Sequence, residues 1–317
     1  MRIATIGLSF LSTLVLTVGS CFAPPVTAQP LDNPNLVESF PVGSDPIGVV
    51  FDGANIWTIN HGSNNVTKLR ASDGAWQGTF DVGDNPFYGT FDGANVWVGN
   101  FESGTSGSGT VTKLRASDGR WLNNFVAESP QGMTFDGANV WITNRLGNTV
   151  TKLRASDGAP LGVFDVGDTP IQATFDGSSV WVTNLYGKTV TKRRASDGAL
   201  LGTFDVGLYP IGITFDGTNI WVANDGDNTL TKLRAGDGTL EGTFWVGGGQ
   251  KLVFGDRKLW ISNYYDNVVT TLNTRTGARG PTFHVDSGPS GLAFDGTSVW
   301  VANTLSYTVT KISRTAR

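Results

Sequence analysis

One motif returns along almost the whole of this 317-residue chain, and it limits the possible folds more than any other feature. A phenylalanine within an extended run recurs at Phe40, Phe80, Phe125, Phe164, Phe204, Phe244 and Phe283, in steps of 40, 45, 39, 40, 40 and 39 residues. A second series keeps the same register: Trp57, Trp97, Trp141, Trp181, Trp221, Trp260 and Trp300. Each of these tryptophans has an asparagine three residues later: Asn60, Asn100, Asn144, Asn184, Asn224, Asn263 and Asn303. Self-similarity at this period marks an array of small units, none able to bury its apolar faces alone. The one long step comes from an insertion within Glu102–Gly109, a Ser- and Gly-rich stretch expected to form a flexible loop.

Each unit holds four short extended runs, in the first Ile47–Phe51, Asn55–Ile59, Asn65–Arg70 and Gln77–Val82. Asp52-Gly53 and Asp73-Gly74 read as hairpin turns, because Asp-Gly supplies the positive φ such turns need. Four strands per unit of this length is the pattern of a propeller blade, whose two faces are both covered by neighbours. The last unit supplies only three strands before Arg317. A spare strand sits at the other end, where Leu36–Gly43 aligns with Leu240–Gly247, the outer strand of a complete unit. The expected fold is therefore all-β: a seven-bladed β-propeller of four-stranded blades, its last blade closed by an N-terminal strand over residues 35–43. The blades begin near residues 44, 84, 128, 168, 208, 248 and 287. Closure of this kind removes edges that would otherwise pair with another chain.

The first 28 residues stand apart from the repeat. Arg2 precedes an apolar stretch, Ile3–Val18, and Val26-Thr27-Ala28 has the small-residue ending of a cleavage site. We expect a signal peptide over 1–28 and an exported chain, in the periplasm, cell envelope or outside the cell, without a transmembrane helix in its mature part. A second reading takes Val18-Gly19-Ser20-Cys21 as a lipoprotein box, with Cys21 the lipid-anchored first residue. Cys21 is the only cysteine, so cleavage after Ala28 would leave no thiol or disulfide chemistry. The formal charge is −4, with 23 basic and 27 acidic residues, and gives no basic footprint for nucleic acid.

With Phe51-Asp52-Gly53 and Trp57-Thr58-Ile59-Asn60, or Phe215-Asp216-Gly217 and Trp221-Val222-Ala223-Asn224, the chain resembles the bacterial YVTN-type propellers, which include the YncE-like proteins. The resemblance spans the whole mature chain and speaks to architecture, not activity. More distantly the chain is similar to streptogramin B lyase, another seven-bladed propeller. That likeness implies a metal-assisted lyase or lactonase, with histidines near the channel mouth. The positions after each turn proline are Ile47, Phe87, Gln131, Ile171, Ile211 and Ser290, with Gln250 in the sixth unit, and none is His.

The units differ unevenly. Arg70-Ala71-Ser72-Asp73-Gly74 recurs unchanged at 115–119, 154–158 and 194–198, whereas the turns on the opposite face vary. A variable loop face over a central channel is where a ligand would bind. The candidate binding residues are His61, Phe87, Tyr88, Glu128, Gln131, Arg145, Gln172, Tyr186, Tyr209, Lys251, Tyr264 and Tyr265. Two residues after the turn proline, four units carry glycine (Gly48, Gly132, Gly212, Gly291), and Tyr88, Gln172 and Lys251 break the pattern. These three would project polar groups into the channel mouth; the bland reading is drift at a solvated, sterically open position.

No residue set announces catalysis. Of the two histidines, His61 lies in a variable turn and His284 in an outer strand. Asp225-Gly226-Asp227-Asn228 faintly resembles a calcium loop but lacks its ligand series, and hairpin chemistry accounts for it. Asp84, Glu128 and Asp168 are acids on the variable face without metal-ligand spacing. The alternating pairs Lys68/Arg70, Lys113/Arg115, Lys152/Arg154 and Lys232/Arg234 read as strand pairing, not as a nucleic-acid surface. The expectation is a non-catalytic exported propeller binding a protein or glycan through its variable face, with no cofactor, no metal and no nucleic acid. The alternative is the metal-assisted lyase or lactonase.

Overall fold

The computed structural model describes residues 37–101 and 108–313. The expected leader, Cys21 with it, and most of the 102–109 insertion lie outside the described residues. Seven four-stranded antiparallel sheets follow one another along the chain. Blade 1 runs Pro46–Phe51, Asn55–Asn60, Asn65–Arg70 and Trp76–Asp81, each strand within about a residue of the expected runs. The first strands of successive blades lie against each other all the way round, and blade 7 returns to blade 1. In blade 7 the order is Pro289–Phe294, Ser298–Asn303, Thr308–Ser313 and then Val37–Pro41. This last strand is the segment from the front of the chain, paired in the register Glu38 opposite Lys311 and Phe40 opposite Val309. No helix among the described residues is long and apolar enough to cross a membrane.

The core lies between blades, not within them. Trp57, Ile59 and Val66 of blade 1 pack with Val96, Val98 and Leu114 of blade 2, and comparable clusters sit between later neighbours. Every repeat tryptophan is almost wholly buried. Its indole N–H still needs an acceptor, and the Phe-Asp-Gly turn supplies one. Trp57 Nε1 donates to Asp52 Oδ2 at 2.8 Å, while Asp52 Oδ1 accepts the backbone N–H groups of Ala54 and Asn55. Six blades repeat this arrangement; in blade 6 Gly255 replaces the aspartate, and Trp260 Nε1 reaches the Gly255 carbonyl at 3.3 Å. The outer phenylalanine packs on the tryptophan of its own blade, with ring centroids 5.5 Å apart for Trp57 and Phe80. Phe40 does the same for Trp300, at 5.5 Å, so the borrowed strand completes the blade in side-chain terms as well. In six blades the asparagine three residues on donates from Nδ2 to third-strand side chains, for Asn60 to Asn65 Oδ1 at 2.8 Å and Thr67 Oγ1 at 2.9 Å; in blade 6 Asn263 donates to the Gly247 carbonyl and Asp266 instead.

The basic pairs divide their work. Each arginine meets the aspartate of its own turn at the surface, as Arg70 meets Asp73 at 3.1 Å. The lysine instead crosses to the next blade, a role the strand-pairing expectation had missed. Lys152 is buried, lies over the Trp141 ring at 5.1 Å, and donates to the Ala195 and Ser196 carbonyls of blade 4 at 2.6 and 3.1 Å. Lys68, Lys113, Lys192 and Lys311 bridge their own blade boundaries in the same way. Blade 6 is flanked by the two boundaries that lack this bridge. Lys232 of blade 5 pairs with Glu241 of its own sheet at 3.1 Å, and blade 6 has Thr271 where the others have lysine. Blade 7 has no Ala-Ser-Asp-Gly turn to offer, because its outer strand comes from the other end of the chain.

Candidate functional site

The variable turns and the inter-blade connections share one face because they are hydrogen-bonded together. His61 N–H and Gly62 N–H donate to the Asp45 and Ser44 carbonyls, Leu185 N–H to Thr169, Gly226 N–H to Leu208, and Leu305 N–H to Ser287. To present those carbonyls, the residue before each turn proline takes a left-handed backbone: φ is 49° at Asp45, 57° at Thr169 and 53° at Tyr209. In six blades a second left-handed residue ends the variable turn: Asn64, Asn148, Lys188, Asn228, Asn267 and Tyr307.

Much of the candidate set is spread over this face and does not converge. Tyr186 and Tyr209, from blade 4 and the connection into blade 5, meet edge-on with centroids 6.1 Å apart. Tyr264 and Tyr265 meet similarly at 5.4 Å, with Tyr265 80% exposed. Leu146, Leu208, Leu305 and Tyr307 extend the same exposed apolar rim. His61 packs on Phe87 at 4.7 Å, and its Nδ1 lies 3.2 Å from the Pro86 carbonyl; Phe101 closes on Phe87 edge-on at 5.9 Å. Arg145 is half-buried and Glu128 exposed, with the Glu128 carboxylate beside Gly147. Gln131 is buried, its Oε1 without a hydrogen-bond partner. His284 is exposed on the outer strand of blade 6.

Three candidates do converge. Tyr88, Gln172 and Lys251, from blades 2, 4 and 6, line a cavity of about 60 Å³ on the axis. Val49, Ile213, Leu252 and Leu292 border it while packing into the cores between blades, and most of the surface turned to the cavity is polar. The glycine positions are closely packed, not sterically open. A Cβ on Gly48 would lie 2.8 Å from the Phe87 carbonyl, and one on Gly212 would lie 2.7 Å from that of Gln250. Glycine is required there because the next blade's inner strand approaches so closely. Side chains on alternate blades then fill the space that the glycines leave.

Lys251 reaches across the channel, its Nζ 4.5 Å from the centre of the Tyr88 ring. It is only 7% exposed, and burial drives its amine down to about 7, opposed by the Asp225 carboxylate. Asp225, in the variable turn of blade 5, is itself raised above the usual carboxylate range by burial, against the pull of its hydrogen bond with Gln250 and the charge of Lys251. Burial also raises the Tyr88 phenol, offset in part by a hydrogen bond with Ser290. Asp225, Gln250 and Ser290 join this group from outside the candidate set. In the sequence Asp225 shows only a faint calcium-loop spacing, and no local motif connects it to a lysine in the next blade.

Among the described residues, no three His, Cys, Asp or Glu side chains come together to hold a metal ion. Asp84 accepts from Asn64 Nδ2 at 3.1 Å, and Asp168 from the Thr169 hydroxyl at 3.0 Å. Neither of them, nor Glu128, lines the axial cavity.

Fold and site together define the class: a closed seven-bladed β-propeller with a plugged axial channel beneath an aromatic loop face. No protein-family model matches the sequence, and no curated protein does. Among solved structures, a streptogramin B lyase superposes with a TM-score of 0.71 at 19% identity, covering 87% of this chain and 96% of that one. The hydrazine synthase of Kuenenia stuttgartiensis gives 0.72 at 16% identity, covering 86% and 96%. At such identities the likeness is one of fold.

Proposed function

We propose that this chain is an exported, YncE-like propeller that binds a protein partner through its variable face. The observation that carries this reading is the placing of Tyr209 and Tyr307. Both hold a left-handed backbone, with φ of 53° and 57°, and both are about half exposed, at 45% and 49%. Equivalent positions in other blades hold Asp45, Asn85 and Ser129, or Asn64, Asn148 and Asn228. A bulky residue there costs about 1–2 kcal/mol in backbone strain and leaves apolar surface in water. Stability does not account for aromatic residues at these sites, whereas partner contact does, since tyrosine is enriched at interface cores. Leucines beside the tyrosines suit a protein surface better than a sugar.

The lyase alternative gains little from the side chains. The positions after the turn prolines hold no histidine, and Asp84 and Asp168 are separately tied to Asn64 and Thr169.

The experiment is affinity capture from the envelope and culture fractions, comparing three immobilised proteins. These are the unaltered chain, a face variant (Tyr186→Ser, Tyr209→Ser, Tyr265→Ser) and a control on the exposed outer strand of blade 1 (Trp76→Ser). A protein retained by the unaltered chain and the control but not by the face variant supports the reading. Retention by all three proteins, or capture of glycan alone, overturns it.

A further inference from the structure

Eight of the nine lysines have an evident role or sit in water. Lys68, Lys113, Lys152, Lys192 and Lys311 donate to backbone carbonyls of a neighbouring blade, and Lys232 and Lys258 meet carboxylates. Lys188 is exposed on a variable turn. Lys251 alone is buried without a hydrogen bond or ion pair among the described residues, its Nζ set over an aromatic ring at the wall of an axial cavity. Nothing in blade-to-blade packing calls for an amine there, and four other blades manage with glycine.

We propose that Lys251 is a nucleophilic amine that captures a small uncharged aldehyde in the axial channel as an imine. The geometry supplies three requirements of that chemistry. The nitrogen is held without an acceptor to occupy it, so its lone pair is free whenever it is unprotonated. Burial keeps a large fraction of it unprotonated near neutrality, the usual way a lysine is activated for carbonyl attack. The Tyr88 ring beside the amine and the polar lining around it suit a small carbonyl compound with a short tail, and a cavity of about 60 Å³ excludes larger ones. The charged or titratable groups that face the amine are Asp225 and Tyr88.

In the step itself, the Nζ lone pair forms a bond to the carbonyl carbon and the π pair moves to oxygen. One nitrogen proton passes to that oxygen, giving a carbinolamine. The hydroxyl then departs with a second nitrogen proton as water, and the C=N bond forms. The aldehyde and the amine therefore yield the imine plus one water, with no oxidant or reductant consumed.

The test uses the folded chain with propanal and sodium cyanoborohydride at pH 7, which reduces any imine to a stable propylamine. Each lysine is then followed by peptide mass spectrometry. Lys251 is expected to be propylated at least about ten-fold faster than exposed Lys188, because a desolvated amine is unprotonated far more often. The advantage should vanish in urea. In Lys251→Arg, which keeps a cation in place, labelling at Lys188 should continue unchanged and the channel adduct should be absent. Labelling of Lys251 no faster than Lys188 in the folded chain, or an advantage that survives unfolding, overturns the proposal.

Discussion

Replacing Lys152 with methionine tests whether buried lysines hold the ring together, and Lys232 provides an internal control. Methionine keeps most of the aliphatic stem but removes the ammonium. At Lys152 that deletes bonds of 2.6 and 3.1 Å to the Ala195 and Ser196 carbonyls and the contact with Trp141. A hydrogen bond to a charged group contributes about 1.5–3 kcal/mol, and a desolvated cation–π contact about 2 kcal/mol. Against this stands the cost of burying the charge, which the variant no longer bears. The expected net loss is about 2–3 kcal/mol. Lys232 faces a different situation: its partner Glu241 keeps a second bond from Arg234 Nε at 3.2 Å, and the pair is partly solvated. Lys232→Met should therefore cost no more than about 1 kcal/mol. Equilibrium urea unfolding reads both as shifts of midpoint at a common slope. If Lys152→Met lies within about 0.5 kcal/mol of the unaltered protein, or if both variants lose the same amount, the lysines are passengers and the packing alone joins the blades.

Three further outcomes follow from the geometry. The Lys251 amine sits at about 7 in the folded state against an ordinary 10.5, so between those values the unfolded chain binds more protons and stability rises with pH. Below pH 7 that contribution is flat and unfavourable; Lys251→Met should raise the melting temperature at pH 6 and flatten the climb between pH 7 and 10. Gly48→Ala should cost about 1–3 kcal/mol, because its Cβ would press on the Phe87 carbonyl and Ile59. Gly236→Ala, with nothing within 4 Å, should be neutral or stabilise by up to about 1 kcal/mol; chemical denaturation of the two variants side by side decides the point. Amide hydrogen exchange should be faster in the strands Lys258–Asn263 and Val268–Asn273 than in Asn139–Asn144 and Thr149–Arg154, because blade 6 has no lysine bridge on either side. Equal protection of the two pairs would count against that.

The repeat made the ring legible because its signals are local. Trp57 with Asn60, or Asp52 with Gly53, sits within one hairpin, and a seven-fold recurrence averages out the noise of any one copy. Closure by the front segment was legible for the same reason, through the likeness of Leu36–Gly43 to Leu240–Gly247. The axial group was only half legible. Tyr88, Gln172 and Lys251 stood out by breaking a glycine column, but their meeting depends on the radius of the ring, which no spacing encodes. Asp225 and Ser290 come to Lys251 and Tyr88 from different blades, so their pairing is a tertiary fact. The lysine bridges escaped for a related reason: the periodicity shows that Lys152 recurs, not that its amine ends on the carbonyls of Ala195 and Ser196.

The latch formed by Val37–Pro41 on Thr308–Ser313 ties the two extremities of the described chain into one sheet. Proteolytic trimming from the front and from the back are then the same injury, since either strips blade 7 and bares the Trp300 ring. During synthesis Val37–Pro41 must wait, unpaired, until Thr308–Ser313 has been made. Six sheets can assemble in order as they appear, but the circle shuts in a single late event.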